Sequence, residues 1–430
     1  AFDSSFDNLD KRTQRIDIGD LNIALLPKQT RGETVTVCMK FKSGDEKNLF
    51  GKSSLQPVAA AMLTRGTKTM TRSEIEDRMT ELKMAGSITN FTTTRKNLPA
   101  ALELVFDVMH NSIMPQDEFD QFKKQMQVMI ESMRDKPDAL AQNAITQHFN
   151  TYPKGDPRHE YSLDESLEQL NRLTVDQVRA FYKEFGGTSR GEISIVGDFD
   201  PKAVEKIIRD DYAKYVSKAH YAPIVTEYRP VQATRVVIDT PDKENATIVA
   251  RSVFPINDTS PDAPALTVAN WILGGGTGLS NRLIERLRQK EGLSYGAGSH
   301  VRIPAKGDNG SFVFRAIVAP QNMLQAEASA RDVIAKAIKD GFTDQEVEEA
   351  KKGLLQAMQV ARSQDDVVAR SWNDKMENQR TWVFSKKQAE AISKLTTADV
   401  NAALRKYIKP DEITFVLAGD QKKAAQKKQD

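Results

Sequence analysis

The chain has 430 residues, of which 39% are hydrophobic and 28% charged, a composition typical of a folded protein with ample apolar surface to bury. Because single cores rarely grow beyond ~250–300 residues, this length predicts more than one domain. Lys and Arg number 61 against 59 Asp and Glu, and the formal net charge of +2 gives no overall field that would hold a nucleic acid or an anionic membrane.

The N-terminal segment, residues 1–15, is too charged for a secretory signal and lacks an initiator Met. We interpret it as a connecting segment of a longer or processed protein. No window of the sequence approaches the ~20 apolar residues that a membrane span needs. The sequence therefore predicts a soluble chain with no membrane span.

Alternating or β-branched runs predict strands along the chain. These runs occupy residues 16–26, 34–41, 235–239, 246–254 and 311–318. The one cysteine, Cys38, lies in the second run, where we interpret it as a small buried hydrophobic residue and not as a nucleophile. A single cysteine also excludes an internal disulfide and a thiolate metal cluster.

Long amphipathic segments between these runs predict helices. Two helix starts have the capping-box spacing, Thr71-x-x-Glu74 and Thr343-x-x-Glu346, in which the hydroxyl and the carboxylate satisfy backbone donors reciprocally. Gly86 is predicted to end the helix that begins after Thr71.

An internal repeat predicts two related subdomains. AAAMLTRGT at residues 59–67 matches ANWILGGGT at 269–277, and QDEFDQFKK at 116–124 matches DQEVEEAKK at 344–352. A Leu-Thr pair and a strand ending in Gly-Asp follow in the same order in both parts. A shift of about 220 residues is too long for a solenoid repeat and indicates a duplicated domain.

We predict subdomains at residues 9–217 and 233–420, separated by a linker at 218–232 and followed by a frayed basic tail at 421–430. The order of elements predicts an α+β fold with two tandem homologous subdomains. Each is expected to be a mainly antiparallel sheet covered by helices on one face.

A glycine-rich run at residues 274–278 resembles a phosphate-binding loop only superficially. A P-loop ends in Gly-Lys-Ser/Thr, whereas Leu279-Ser280-Asn281 follows here, and the preceding element is predicted to be helical. We interpret the glycines as permitting a sharp turn and close backbone packing, with a hinge or a substrate-facing loop as the alternative.

Five histidines are scattered along the chain, and none stands four residues from another, as two zinc ligands on one helix would. They are His110, His148, His159, His220 and His300. We expect His159 and Glu160 in a surface loop. No Ser-His-Asp or Cys-His arrangement stands out.

Several passages resemble the pitrilysin/insulinase family of zinc peptidases, the inverzincins, over nearly the whole chain. They are ALLPKQTRG at residues 24–32, GDEKNL at 44–49, MLTRGT at 62–67, GGGTGLSNRL at 274–283 and LRQKEGLSY at 287–295. The opening passages are most similar to the second half of long, single-chain bacterial members. The resemblance implies two related α+β subdomains, as in each half of those peptidases.

Catalytic halves of that family carry His-x-x-Glu-His just before a passage like Met-Leu-x-x-Gly-Thr. In this chain Pro57, Ala60 and Ala61 stand where the resemblance places the two zinc-binding histidines and the general base. The third ligand position falls on Glu131, which we interpret as a solvated helix charge because one carboxylate is too little to hold zinc. The resemblance implies no metal or other cofactor in this chain and zinc in a partner half.

The family's Arg/Tyr pair does match, at Arg288 and Tyr295. The resemblance implies that both reach from the non-zinc half toward the scissile peptide, where a guanidinium and a phenol can stabilise charge on the carbonyl oxygen. Gly292 is predicted to end the helix that carries Arg288, so that Tyr295 lies on the next strand. Alternatively, Arg288 is one more charge on a helix surface, and Tyr295 is a half-buried strand residue.

The resemblance therefore implies the non-zinc half of a two-half metalloendopeptidase. We expect it to be inactive alone, to join a zinc-bearing half in the same precursor or as a separate subunit, to act on unstructured peptides and to be periplasmic. Two alternatives stay open. One is a structural subunit, since the family also resembles core subunits of mitochondrial respiratory complexes; the other is a module that binds extended peptides by strand addition.

Overall fold

The computed structural model describes residues 2–277 and 281–426, and its strands form two sheets. Strands β1 to β6 are Gln14–Ile18, Asp20–Pro27, Thr34–Phe41, Ala85–Gly86, Asn90–Thr94 and Arg190–Gly197. Strands β7 to β11 are Arg235–Asp239, Ala246–Pro255, Ser294–Arg302, Asn309–Val318 and Thr414–Gly419. The first sheet has the order β1-β2-β6-β3-β5-β4, and the second has the order β7-β11-β8-β10-β9.

Both sheets are mainly antiparallel. Each contains one parallel pair, β2 with β6 in the first sheet and β7 with β11 in the second, whereas the other neighbouring pairs run antiparallel. Apart from β1, the two sheets have the same strand arrangement. The predicted fold class, mainly antiparallel sheets covered by helices, is confirmed.

Helices fill the chain between the strands. Helices α1 to α9 are Phe6–Arg12, Leu55–Met62, Arg72–Glu81, Leu98–Asn111, Gln116–Met133, Pro137–His148, Leu163–Arg172, Val175–Phe185 and Pro201–Asp210. Helices α10 to α17 are Ala263–Asn270, Arg282–Ile284, Met323–Asp340, Asp344–Arg362, Asp365–Glu377, Trp382–Lys394, Thr397–Tyr407 and Gln421–Gln426. Two π-helical turns, Trp271–Gly275 and Glu285–Lys290, extend α10 and α11. Short 3₁₀ turns lie at Arg31–Glu33, Leu63–Arg65, Tyr212–Lys214, Pro320–Asn322 and Pro410–Glu412.

Both predicted capping boxes are confirmed, at the starts of α3 and α13. The prediction that Gly86 ends α3 is wrong, because the helix stops at Glu81 and the chain turns at Lys83, with φ of 53°. Gly86 lies in β4 instead, where a Cβ would stand 2.3 Å from the carbonyl oxygen of Asn90. This glycine is required for close strand contact and not for a helix end.

The strand predictions for residues 34–41 and 235–239 are confirmed with the same bounds, and those for 246–254 and 311–318 within a few residues. The single strand predicted at residues 16–26 is wrong. It is a hairpin, in which Gly19 adopts φ of 59° between β1 and β2 and Ile18 pairs with Leu21. Glycine accepts this left-handed conformation at no steric cost, so it can reverse the chain inside an apolar run.

Two terminal segments are more ordered than the sequence indicates. The expected connecting segment contains α1, in which Leu9 is fully buried. The predicted frayed tail forms α17 as far as Gln426, with Ala424 buried, and residues 427–430 lie outside the described residues.

The prediction that helices cover one face of each sheet is wrong, because a helix from the other half covers the second face. On the first sheet, Ala24, Cys38 and Val196 pack against Trp372 of α14. On the second sheet, Val249, Val416 and Ala418 pack against Ala141 and Ile145 of α6. The two halves thus exchange helices, and each completes the other's core.

Residues 221–234, which join the two halves, form no helix or strand. They fall largely within the predicted linker, whose bounds remain a prediction. No helix in the described part of the chain is both long and apolar enough to cross a membrane.

Candidate functional site

Arg288 and Tyr295 lie on the two arms of one turn from a helix to an edge strand. The π-helical turn Glu285–Lys290 carries Arg288, and Tyr295 is the second residue of β9. Gly292 adopts φ of 59° between them, so its predicted position at the end of the helix is confirmed. π-Helical turns of this kind are frequent at functional sites.

Two buried leucines hold this turn in place. The backbone N–H of Leu293 donates to the carbonyl oxygen of Leu287 at 2.8 Å, which closes the loop between the arms. Leu287 and Leu293 both lie in the main core of the second half. The residues that follow each of them, Arg288 and Ser294, therefore start from neighbouring points of the backbone.

Tyr295 is directed outward by a β-bulge. In the pairing of β9 with β10, Ile317 opposes Gly296 while Val318 opposes Ser294, so Tyr295 is the extra residue without a partner. The hydroxyl of Ser294 donates to the carbonyl oxygens of Gly296, at 2.7 Å, and Ile317, at 3.2 Å, which bridges the irregularity. A bulge re-aims a side chain, and Tyr295 is accordingly 64% exposed. The alternative of a half-buried strand residue is wrong.

Arg288 differs from the charged residues around it. Arg282 is paired with Glu346 at 2.7 Å, Arg286 with Asp332 at 3.0 Å, and Lys290 with Glu285 at 2.9 Å. Within the described residues, no hydrogen bond or ion pair engages Arg288, whose side chain is exposed. The guanidinium is therefore available to a ligand, while its neighbours are committed to one another.

The ion pairs around Arg286 fix the base of the turn. Burial opposes the charge of Glu291, but hydrogen bonds from Ser329 and Arg286 hold its pKa below its usual range. Ser329 lies on α12, at 2.6 Å from Glu291, so this contact ties the turn to the helix packed behind it. The arm that carries Arg288 is thereby held by charge as well as by leucine burial.

The glycine-rich run packs against the strand that carries Tyr295. Gly274 is buried, and a Cβ on it would lie 2.5 Å from Oγ and 2.8 Å from the backbone nitrogen of Ser299 in β9. Asn270 accepts a hydrogen bond from the Ser299 hydroxyl at 2.7 Å at the same contact. The packing interpretation of Gly274 fits this geometry. Gly278 of the run, and Leu279 and Ser280 after it, lie outside the described residues.

The degenerate zinc motif lies on α2. Pro57 and Ala60 are exposed and Ala61 is half-buried, and none of the three has a side-chain atom that can bind a metal. Ala60 lines a largely apolar groove of about 440 Å³ between α2, β3 and α8, together with Leu63 and Phe185. The residues present do not fit a zinc ion at this position.

Glu131 on α5 forms a surface ion pair with Arg134 at 3.3 Å, and its side chain is 54% exposed. In the described ranges, no group of three or more His, Cys, Asp or Glu residues is arranged to hold a metal ion. This position therefore carries a solvated helix charge, as the sequence indicates.

Two other residues considered as possible catalytic groups, Cys38 and His159, have buried side chains. Cys38 is 3% exposed, and burial raises the pKa of its thiol to about 11, so it stays protonated and unreactive at neutral pH. His159 and Glu160 lie in a loop, as predicted, and Glu160 is exposed, but only 8% of the His159 side chain is exposed and its Nδ1 lies 2.7 Å from the carbonyl oxygen of Tyr152. Packing of the residues that precede α7 buries the ring.

Comparison with known proteins identifies a family match over part of the chain. Residues 172–354 match the family model described as the Peptidase M16 inactive domain. An uncharacterized zinc protease of Mycobacterium tuberculosis is 25% identical over 261 residues, which cover 60% of this chain and 57% of that protein. The chain thus spans well under two thirds of the length of the curated relatives it matches.

Two solved structures share the fold. The peptidase M16 inactive domain from Pseudomonas fluorescens superposes with a TM-score of 0.80 at 20% identity, covering 95% of this chain and 97% of that one. The periplasmic protease PqqL from Escherichia coli superposes with a TM-score of 0.67 at 14% identity, covering 95% of this chain but 45% of PqqL.

The chain has a two-sheet α+β fold that it shares with solved M16 proteins, and one turn of its second half presents an exposed arginine and an exposed tyrosine. Over residues 172–354 the chain matches the inactive domain of the M16 peptidases, and it shares its fold with a solved M16 inactive domain.

Proposed function

We propose that this chain is the non-catalytic half of a two-half zinc metalloendopeptidase and that it supplies Arg288 and Tyr295 to the substrate. One observation carries the proposal: a bulge extrudes Tyr295 from an edge strand beside an exposed arginine that no described residue engages. Both side chains lie on arms of one closed turn, so they can meet the same ligand.

The chemistry of the pair fits a peptide carbonyl under attack. Negative charge then develops on the carbonyl oxygen, and preorganised donors stabilise that charge most where water is excluded. Arg288 remains protonated throughout and offers several N–H donors, while Tyr295 offers one O–H from a rigid ring. The two side chains bind and orient the carbonyl group, and hydrolysis itself is assigned to the partner half.

The partner in this proposal carries the His-x-x-Glu-His motif and the zinc, either in the same precursor or as a separate subunit. PqqL supports such an arrangement, since the fold of this chain accounts for 45% of that protease. The substrates are unstructured peptides that fit a chamber between the halves. A periplasmic location is proposed on the same likeness, because PqqL is a periplasmic protease.

We also propose that this chain arose by duplication, with subdomains at residues 9–217 and 233–420. The shared strand arrangement of the two sheets and the exchange of α6 and α14 support this origin. Helices α5 and α13 begin at the matching sequence passages, residues 116–124 and 344–352.

Complementation tests the proposal. A quenched fluorescent peptide library is incubated with zinc and this chain alone, with the zinc-bearing half alone, and with both halves. The proposal predicts cleavage only when both halves are present, and a complex of the two on size-exclusion chromatography. Cleavage by this chain alone would refute the absence of a zinc site, and full activity of the zinc-bearing half alone would leave this chain a structural or peptide-binding role.

A further inference from the structure

A second site is suggested by a cavity between the two halves. It has a volume of about 350 Å³, within the ~300–1,000 Å³ of small-molecule pockets. It lies beyond the end of α6, beside residues 226–231 and against the face of the second sheet that α6 covers. The residues that matter for its chemistry are Phe149, Glu160, Arg229, Arg251, Val253 and Arg302.

Arg251 of β8 is the least compensated charge in this cavity. Its guanidinium lies 4.9 Å from the centre of the Phe149 ring, and its Nε is buried without a hydrogen-bond partner. No ion pair engages it within the described ranges. Burial, and then repulsion from Arg302, lower its pKa, while Glu160 acts in the opposite sense. A partly buried guanidinium whose Nε lacks a partner is energetically unfavourable without a bound anion, because its desolvation is not repaid.

The matching position in the first sheet is compensated. In the strand register of the first sheet, Lys40 of β3 stands opposite Glu192 of β6. In the second sheet, Arg251 of β8 stands opposite Thr414 of β11. Lys40 and Arg251 each lie on the sheet face that is covered by the helix from the other half. Lys40 lies 2.6 Å from Glu377 at the end of α14. The neighbouring Lys42 lies 2.7 Å from Glu192. Two carboxylates therefore neutralise the cations of the first sheet.

In the second sheet, uncharged groups occupy the places of those two carboxylates. Thr414 stands opposite Arg251 in β11, and Phe149 follows the end of α6. The comparison identifies what the cavity lacks, which is an anion next to Arg251.

The other charged residues that line the cavity do not neutralise Arg251, and two of them are arginines with partners of their own. Arg158 is already bound by Asp156, at 2.8 Å, and by Glu46, at 2.6 Å. Arg229 lies 4.1 Å from the centre of the Tyr152 ring and donates to a backbone carbonyl oxygen. The carboxylates that line the cavity, Glu160 and Glu227, are exposed, whereas the unpaired nitrogen of Arg251 is buried.

We propose that this cavity binds a carboxylate attached to an apolar group, such as the C-terminal residue of a short peptide. The carboxylate accepts hydrogen bonds from Arg251 and Arg302, whose planar forks match two carboxylate oxygens. Phe149 and Val253 provide the apolar surface against which the attached side chain packs. This site involves neither Arg288 nor Tyr295, and its occupancy does not depend on a partner half.

N-acetyl-leucine and its uncharged amide, N-acetyl-leucinamide, test the assignment on the isolated chain by titration calorimetry and thermal unfolding. We expect N-acetyl-leucine at ten times its Kd to raise Tm by about 1–3 °C, and the amide at the same concentration to leave Tm unchanged. Arg251→Met is expected to weaken binding by at least about tenfold, which is the effect of losing one charge-assisted contact.

Lys40→Met is the matched control, because it alters the equivalent position of the first sheet. It is expected to bind N-acetyl-leucine as the unchanged chain does but to unfold at a lower temperature, since Glu377 loses a partner. Arg251→Met, in contrast, is expected to unfold at the same or a higher temperature, which shows that the variant is folded.

Three outcomes would overturn the assignment. Equal stabilisation by the amide would mean that only apolar contact is recognised. Binding that survives Arg251→Met would move the ligand to another place on the chain. Inorganic phosphate that raises Tm as much as N-acetyl-leucine, and loses this effect in Arg251→Met, would indicate a phosphate site instead.

Discussion

The two sheets have the same strand arrangement but differ at the turn that leads into the edge strand. In the first sheet, Arg78 on α3 is paired with Glu81 at 3.0 Å, and Ala85 lies in the two-residue strand β4. In the second, Arg288 is not engaged by any described residue, and Tyr295 is extruded from the nine-residue strand β9. In the same strand arrangement, one turn thus commits its arginine to an ion pair, and the other leaves its arginine and tyrosine exposed.

The largest effect is expected where the halves exchange helices. Trp372→Ala removes a buried indole of α14 that packs on the first sheet and donates to Thr13 at 3.1 Å. We expect the free energy of unfolding to fall by about 3–5 kcal/mol, because the cavity cannot be refilled from within one half. Denaturant unfolding followed by circular dichroism measures the change.

Ile145→Ala on α6 is the counterpart on the second sheet and is expected to cost about 2–5 kcal/mol. Val128→Ala on the exposed side of α5 is the control and should stay within about 0.5 kcal/mol. If either core variant matched this control, the exchanged helices would not contribute to stability.

The second-largest effect is expected on kcat, and it tests the comparison of Arg288 with Arg78. Arg288→Ala in the complex with the zinc-bearing half is expected to lower kcat by about 10²–10³, as the loss of one oxyanion donor does. Arg78→Ala, at the corresponding turn of the first sheet, is expected to leave kcat unchanged. Steady-state kinetics on one peptide give both values, and chromatography shows whether each complex is intact. Equal losses in the two variants would indicate a structural cause.

A smaller effect is expected from the glycine that packs on β9. Gly274→Ala places a methyl group against Ser299 and is expected to lower the free energy of unfolding by about 1–3 kcal/mol through overpacking. Thr64 stands at the matching sequence position of the first half, and Thr64→Ala is expected to change stability by less than about 0.5 kcal/mol. Thermal unfolding of the two variants compares them, and a neutral Gly274→Ala would contradict the close packing.

The smallest effect is expected on the way the free energy of unfolding depends on pH. Burial opposes the charge of Glu327, but hydrogen bonds from Arg235 and Arg331 outweigh it and hold its pKa below its usual range. Its contribution to stability is therefore complete above the unfolded pKa of ~4.3 and is lost as the pH falls through the lower folded value. We expect Glu327→Gln to be less stable by about 1–3 kcal/mol at pH 7, with the difference narrowing below pH ~4. A constant difference from pH 7 to pH 3 would contradict this origin.

Local features of the fold could be predicted from the sequence. The strand at Thr34–Phe41 and the capping boxes at Thr71 and Thr343 have short-range signals, namely alternation and hydroxyl-carboxylate spacing. The turn at Gly19 also had a signal, a Gly-Asp pair inside an apolar run, which the interpretation as one long strand overlooked.

Features set by long-range packing could not be predicted in this way. The exchange of α6 and α14 depends on contacts between residues more than a hundred positions apart, and no periodicity encodes it. Burial of His159 has the same cause. The bulge at Tyr295 is a matter of register between β9 and β10, and its sequence signal is limited to glycines at positions 296 and 298.

The most direct measurement is the activity of the Tyr295→Phe variant in the intact complex, because this change removes one hydroxyl from an exposed side chain and leaves the ring and the bulge in place. The proposed function predicts a fall in kcat of about 10²–10³ with KM little changed, since the hydroxyl acts on charge that develops during the reaction. A kcat within about twofold of the unchanged complex, where a lost transition-state donor would cost far more, would contradict a role for this site in catalysis.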